Sequence, residues 1–340
     1  MIKSFELNNF GPIARIKGTD LKSINLIIGA NSTGKTFLLK ALYAACRAHE
    51  EFGRGNDPRD LSDTLSDKLY WTFQTEKLGD LVTKGHQNKL QMSLSYSDNT
   101  SLVFGFGPDT TKKATLIHDN LLKREANSVF LPPKEVLGLS NVIMKSALQD
   151  KAFGFDSTYS DLVLALQTPP ARGRPMEAFR KSADMLEDMF QGKIEFDADR
   201  QVWMYKKGNS RFAINVTAEG IKKIAILDTL LRNRHLSRNS FIFIDEPESA
   251  LHPKAITELM NIIHLLASDG IQFFIATHSY FVVKKLHLIS KADPGMKIPL
   301  FMPDDMGAWN QHALEDGMPE NSIIQESIRL FDEEMDLARE

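Results

Sequence analysis

Three short stretches of the chain carry residue types and spacings suited to phosphate chemistry. The first, Gly29-Ala-Asn-Ser-Thr-Gly-Lys-Thr36, fits the pattern G-x-x-x-x-G-K-[ST] in full. Glycines let such a loop wrap closely round a phosphate. The backbone N–H groups of Asn31, Ser32, Thr33 and Gly34, with the start of the following helix, then supply donors and a positive dipole. Lys35 would reach the β- and γ-phosphates, and the Thr36 hydroxyl would ligate magnesium. The second stretch, Phe241-Ile-Phe-Ile-Asp245-Glu246, is an apolar run ending in two acids. At the C-terminal edge of a buried parallel strand, Asp245 would complete the magnesium shell and Glu246 would polarise an attacking water. The third, Phe273-Phe-Ile-Ala-Thr-His278-Ser279, ends a further apolar run in a polar turn, where the His278 imidazole can contact a γ-phosphate and the water that attacks it. Together they predict a nucleotide triphosphatase, with ATP and Mg2+ as the expected ligands.

The surrounding pattern supplies elements to position these groups. Ile2–Phe10 and Ile13–Ile16 alternate apolar and polar residues like half-buried antiparallel strands, and Leu90–Tyr96 with Ser101–Phe106 reads as a hairpin. Asn25–Gly29 is a buried strand feeding the phosphate loop, and a helix runs from Lys35 to about His49, broken by the turn formers of Gly53–Asp60. Ser128–Leu131 is a strand stopped by Pro132-Pro133. The pattern is then helical to about Gly192, apart from a loop at Gln167–Pro175. Strands are expected at Ile194–Phe196, Val202–Tyr205 and Phe212–Val216. After these, helix Glu219–Arg234, strand Phe241–Ile244, helix Pro253–Ser268, strand Ile271–Ala276 and helix Tyr280–Leu288 alternate, as in a parallel sheet covered on both faces. Lys284–Glu340 is expected to add one strand, a turn and the helix Ser322–Leu337.

Composition narrows the function classes. The 340 residues, 42% hydrophobic and 25% charged, suit a globular protein with a sizeable core, and a net charge of -3 gives no global basic field for nucleic acid. A single cysteine excludes a disulfide framework and any multi-cysteine zinc site; Cys46 lies in an apolar helical stretch and is read as core. The N-terminal residues lack an apolar signal segment and no run approaches membrane-spanning length, so a cytoplasmic protein without membrane contact is expected. Arg172 and Arg174, Lys206 and Lys207, and Arg232, Arg234 and Arg238 form basic clusters, read as surface charge with weak nucleic-acid contact as the alternative.

With Asn9-Phe10-Gly11, GANSTGKT, Ile244-Asp-Glu-Pro-Glu-Ser-Ala-Leu-His-Pro253 and Ala276-Thr-His-Ser279 in this order, the chain resembles the ABC-type ATPases of the OLD-like group found in bacterial anti-phage defence. Phe130–Glu135 and Asp316–Ser322 also look like segments of such standalone ATPases. The resemblance makes Glu246 the water-activating base, Glu248–Pro253 the D-loop and His278 the switch histidine. It implies that ATP is cut between two heads, one giving the P-loop and the other a signature turn. That turn falls at Val216-Thr-Ala-Glu-Gly-Ile-Lys-Lys223, making Thr217, Glu219 and Gly220 candidate nucleotide contacts; Ala218 stands where the family has serine. An ordinary helix start capped by Thr217 is the alternative. Gln74 is the candidate Q-loop glutamine, with Gln87 or no such residue as alternatives, and Phe10 is read as core rather than as an adenine contact. The span from Thr36 to Thr217 is too short for coiled-coil arms, and the clustered acids of a TOPRIM nuclease are not found after His278.

The expected architecture is α/β. Residues 1–131 form the N-terminal part of an ABC-type ATPase head with an antiparallel β lobe and the P-loop, 132–192 a mostly helical insertion, and 193–340 the remainder of a RecA-like parallel core. The expected function is an Mg-dependent ATPase working as a homodimer or higher oligomer and gating a separately encoded effector, a nuclease or toxin. The alternative is an ATP-binding scaffold that holds its partner inactive and hydrolyses little, with a repair ATPase or transporter subunit further down.

Overall fold

The computed structural model describes residues 1–85, 88–169, 175–197, 199–304 and 306–337. Gln87, Arg172 and Arg174, and part of the loop expected at 167–175, lie outside the described residues. The chain opens with strands β1 (Ile2–Phe10), β2 (Ile13–Gly18) and β3 (Ile24–Ile28), then helices α1 (Lys35–Glu51) and α2 (Leu61–Phe73). Strands β4 (Leu90–Tyr96), β5 (Ser101–Phe106), β6 (Thr115–Asp119) and β7 (Ser128–Leu131) follow. Next come α3 (Ser140–Met144), which runs into a π-helical stretch, α4 (Ser157–Leu166) and α5 (Glu177–Phe190). Strands β8 (Lys193–Asp197), β9 (Val202–Lys207) and β10 (Ser210–Ala213) precede α6 (Glu219–Arg232), β11 (Phe241–Asp245), α7 (Pro253–Ser268), β12 (Gln272–Thr277) and α8 (Tyr280–Ala292). The chain ends with β13 (Pro299–Pro303), β14 (Trp309–Ala313) and α9 (Ser322–Leu337).

The central sheet has six strands in the order β14-β13-β3-β12-β11-β7. All its pairings are parallel except that of β13 with the edge strand β14. Its inner strands are apolar throughout because both faces are covered, and their period of two splits each between two cores. Phe241, Phe243, Phe274 and Ile27 face a core shared with α1, α2 and the antiparallel strands. Ile242, Ile244, Phe273, Ile275, Leu26 and Ile28 face a second core closed by α4 to α8. Aromatic contacts knit the first core: Phe243 stacks on Phe274 at 5.1 Å, and Tyr43 meets Phe243 edge-on.

A five-stranded antiparallel sheet, β2-β1-β4-β5-β6, covers the far side of α1. That helix is therefore buried nearly all round, which explains its run of small residues: Ala41, Ala44, Ala45, Cys46 and Ala48 are fully buried. Cys46 is core, as expected. A small antiparallel sheet, β10-β9-β8, stands apart from the central one.

Four elements depart from the sequence expectation. The expected strand Phe212–Val216 stops at Ala213 and gives way to a 3₁₀ turn over Ile214–Val216. Helix α2 lies just beyond the turn formers of Gly53–Asp60, where no element was expected; Asp60 caps it by accepting from the Asp63 amide at 2.7 Å, and Leu61, Leu65 and Leu69 are its buried stripe. Edge strands β6 and β14 are largely exposed and carry no clear alternation, so the C-terminal segment has two strands rather than one.

Candidate nucleotide-binding site

The order of the central sheet sets the geometry. Strand β3, feeding the loop Gly29–Gly34, lies beside β12, and β12 lies beside β11, so Asp245, Glu246 and His278 all emerge at the strand edge where the loop turns into α1. The loop has left-handed backbone at Ser32 (φ 65°) and Gly34 (φ 95°). A Cβ at Gly34 would also press on the Pro12 ring at 3.2 Å, so glycine is required twice over there.

A cleft of about 520 Å³ opens above the loop, lined by Asn31 to Phe37 and by Lys40, Gln74, Asp156 and Glu246 among others. Lys35 is almost wholly buried, its ammonium donating to the carbonyls of Gly29 at 2.7 Å and Ala30 at 2.8 Å. Burial lowers its pKa, opposed by the charges of Asp245, Glu246 and Glu248. The Thr36 hydroxyl donates to Asp245 Oδ2 at 2.7 Å. Asp245 Oδ1 is buried without a hydrogen-bond partner. Burial, and then the neighbouring Glu246, push the Asp245 carboxyl upward, while the Thr36 hydrogen bond, Lys40 and Lys35 pull it down.

A hydroxyl and an unsatisfied carboxylate oxygen at one point are the hard-oxygen donors that magnesium takes, alongside substrate phosphates and water. The residues therefore fit a magnesium ion. Among the described residues no cluster of three or more His, Cys, Asp or Glu side chains could hold another metal.

Beyond Asp245 the chain turns sharply. Glu246 has left-handed backbone (φ 49°) and is held on both sides: its amide donates to Ala276 O at 2.9 Å, and its carbonyl accepts from Ser249 N at 3.1 Å and from the Lys223 ammonium. Burial lowers the Lys223 pKa to about 8 against the pull of Glu248, Glu246 and Asp245. The Glu246 carboxylate is one-third exposed and lies 3.3 Å from His278 Nδ1. Glu248 organises the neighbouring turn, accepting at Oε1 from the Thr277 hydroxyl at 2.7 Å and the His278 amide at 3.1 Å.

The structure thus gathers Asn31, Ser32, Thr33, Gly34, Lys35, Thr36, Gln74 and Glu246 round one cleft, with Asp245 bonded to Thr36 and His278 to the Glu246 side. Gln74 ends α2 in left-handed backbone; its Oε1 accepts from the Gly154 amide at 3.0 Å, while its Nε2 is buried without a partner. Phe10 is fully buried against Phe37 and Phe73.

Thr217, Glu219 and Gly220 do not line this cleft. Helix α6 starts at an uncapped Ala218, and the Thr217 hydroxyl is buried without a partner, so the alternative of a Thr217 cap does not hold. Glu219 pairs with Lys222 at 2.7 Å. A Cβ at Gly220 would meet the Ala250 carbonyl at 2.7 Å, so the first turn of α6 packs directly on the loop after Glu246. Of the basic residues, Arg232 is paired with Glu187 and Asp228, and Arg238 with Asp269.

Two residues at the site, Lys40 and Asp156, were not singled out from sequence, and Lys223 and Glu248 were named there only as ends of the signature stretch and the D-loop. Lys40 is four residues after Thr36 and so shares its helix face, a signal the spacing did offer.

A phosphate loop, a strand-end acid pair and a neighbouring strand-end histidine on a parallel sheet beside an antiparallel lobe define a P-loop ATPase with an ABC-type head fold. The sequence matches the family model described as "AAA domain, putative AbiEii toxin, Type IV TA system" over residues 114–284, just over half of the chain, and the chain belongs to that family. A second model, described as an AAA ATPase domain, matches residues 1–159. The protein is an ATP hydrolase.

No curated protein is a significant match. The fold is similar to a crystal structure of the SMC head bound to the C-winged helix domain of ScpA, at TM-score 0.56 and 14% identity, covering 92% of this chain and 97% of that one. It is also similar to an SMC head domain with an extended coiled coil, bound to the C-terminal domain of ScpA, from Pyrococcus furiosus. There the TM-score is 0.51 and the identity 12%, with 98% of each chain covered. Among the described residues no helix is long and apolar enough to cross a membrane.

Proposed function

We propose that the protein hydrolyses Mg-ATP at composite sites formed by two heads arranged head to tail, and that the nucleotide cycle gates a separately encoded effector, a nuclease or toxin, in anti-phage defence. The observation that carries the composite site is the position of the signature turn. None of Thr217 to Gly220 lines the cleft of its own chain, while Ala218 and Glu219 are exposed and Val216 is 77% exposed. Such a turn is free to meet the phosphates held by a second copy.

Within the site, the loop amides and Lys35 would bind the β- and γ-phosphates, and Thr36 and Asp245 would hold magnesium. Bound magnesium would neutralise charge on the phosphate oxygens. Glu246 would accept the proton of the attacking water, with His278 orienting its carboxylate and contacting the γ-phosphate. Gln74 would offer its unpaired amide to the cleft. The family description supports a defence or toxin setting, and the ScpA-bound SMC heads offer a precedent for a protein partner on this fold. Ala218 in place of serine favours a second reading, a scaffold with slow turnover. Residues 132–192 would be an insertion that reports on the nucleotide to the partner.

The test is complementation in trans. Ala218→Arg places a bulky cation on an exposed turn without disturbing its own chain, whereas Lys35→Ala empties its own cleft. Each alone should be inactive; mixed heterodimers rebuild one complete site and should recover up to about half of wild-type turnover by site counting. Absence of recovery in heterodimers verified by mass spectrometry would sink the composite site.

A further inference from the structure

The segment leading into α4 comes from outside the central sheet, yet it is tied to the two helices that flank the cleft. Gly154 N donates to Gln74 Oε1 at 3.0 Å, the Ser157 and Thr72 hydroxyls lie 2.7 Å apart, and Asp161 accepts from the Tyr43 hydroxyl at 2.6 Å. Between them, Asp156 caps α4 through Oδ1, accepting from the Thr158 amide at 2.9 Å and hydroxyl at 2.5 Å. Its other oxygen, Oδ2, takes the Lys40 ammonium at 2.6 Å.

Lys40 stands one helical turn beyond Thr36, on the face from which Thr36 reaches Asp245, and both Lys40 and Asp156 line the cleft. Its charge already acts on Asp245, and the Tyr159 hydroxyl, pushed up to about 12 by burial first, also feels both Asp156 and Asp245. Lys40 thus shares the cleft wall with Thr36, the hydrogen-bond partner of Asp245, while its ammonium is held by Asp156. A lysine stem is flexible enough to serve either acid. An ammonium on Asp245 would compete directly with a divalent cation there.

We propose that Asp156 is a positioning residue that holds the Lys40 ammonium off the Asp245 carboxylate, keeping its unpaired oxygen available to Mg2+. This rests on the reading of Thr36 and Asp245 as magnesium ligands. It also makes the metal affinity depend on where α4 sits, because withdrawing α4 releases Lys40 toward Asp245.

The experiment is Mg2+ titration of nucleotide binding, read by a fluorescent ATP analogue on the full chain, starting from a metal-free baseline in EDTA. Asp156→Asn keeps the size and the helix cap but loses the charge. The Mg2+ concentration for half-maximal enhancement should rise roughly three- to tenfold, as a freed partly buried charge competes, while metal-free binding should hold or strengthen, since a negative charge leaves the cleft. Lys40→Met should bind Mg2+ no more weakly than wild type, and adding Lys40→Met to Asp156→Asn should restore the wild-type midpoint. Should Asp156→Asn not fold, Asp156→Ser, an equal helix cap, gives the same comparison. An unchanged midpoint in the folded Asp156 variant overturns the inference. So does a shift that persists in the double variant, since Asp156 would then be acting on the metal shell itself. A wild-type chain whose nucleotide affinity ignores Mg2+ would instead remove the metal reading, and this inference with it.

Discussion

Replacing Glu246 with glutamine separates binding from turnover, and the structure sets the size of each effect. The backbone at 246 is fixed by main-chain partners on both sides, Ala276 and Ser249, with Lys223 on the carbonyl, so the substitution leaves the turn in place. Glutamine matches the side chain in size and keeps an acceptor for His278, 3.3 Å away. What it loses is basicity. A positioned general base contributes about 10²- to 10⁴-fold, or roughly 2.7–5.5 kcal/mol of barrier, so phosphate release should fall by at least a hundredfold. ATP affinity should hold or improve slightly, because the carboxylate is one-third exposed and removing one such negative charge beside a triphosphate is worth at most about 1 kcal/mol. The assay is single-turnover phosphate release beside equilibrium ATP binding at saturating Mg2+. Turnover within tenfold of wild type would refute the argument and pass the base role to His278. A loss of ATP affinity beyond about thirtyfold would mean that Glu246 holds nucleotide rather than activating water.

Lys35→Ala should abolish ATP binding in titration calorimetry, since the phosphates lose the buried ammonium at the heart of the loop; near-wild-type affinity would end the phosphate-loop reading. His235 gives a pH test away from the site. Burial first, then Arg47 and Arg54, lower its pKa to about 4, so the folded chain resists a proton that the unfolded chain accepts near pH 6.5. Stability should fall as pH drops from about 6.5 to 4, by roughly 2 kcal/mol at pH 5, and His235→Gln should remove that part of the loss in urea titrations; equal losses in both proteins would contradict it.

What could be read in the sequence follows burial. Strands β3, β11 and β12 are sealed on both faces, so their continuous apolar runs and the polar residues at their ends were legible, and with them Lys35, Thr36, Asp245, Glu246 and His278. Edge strands β6 and β14 pack on one side only and left no period. Helix α2 was hidden because its Ser, Thr and Asp residues double as caps and turn formers, and its end places Gln74 at the cleft. Asp156 was out of reach for another reason: its role depends on α4 folding back beside α1, a contact across more than a hundred residues. The uncapped start of α6 shows the limit of local rules, since Thr217 had the right chemistry for a cap and does not make one.

The strained turn after β11 links these parts. Glu246 and Ala250 both have left-handed backbone, at φ 49° and 63°, a conformation that costs a non-glycine residue of order 1 kcal/mol unless its surroundings enforce it. Three contacts, from two elements, do so here. Strand β12 takes the Glu246 amide, α6 supplies Lys223 to its carbonyl, and Gly220 lets the first turn of α6 sit on the Ala250 carbonyl. Glu248 then ties the same turn to Thr277 and His278. The turn at 217–220, proposed above as the signature turn, and the acid pair of one chain are therefore a single packed unit. A second head pressing on Ala218 and Glu219 would load α6, and the load would reach Glu246 through Lys223 and Ala250 without crossing the nucleotide cleft. In a head-to-tail pair, that route would let the phosphate bound by one head bear on the base of the other.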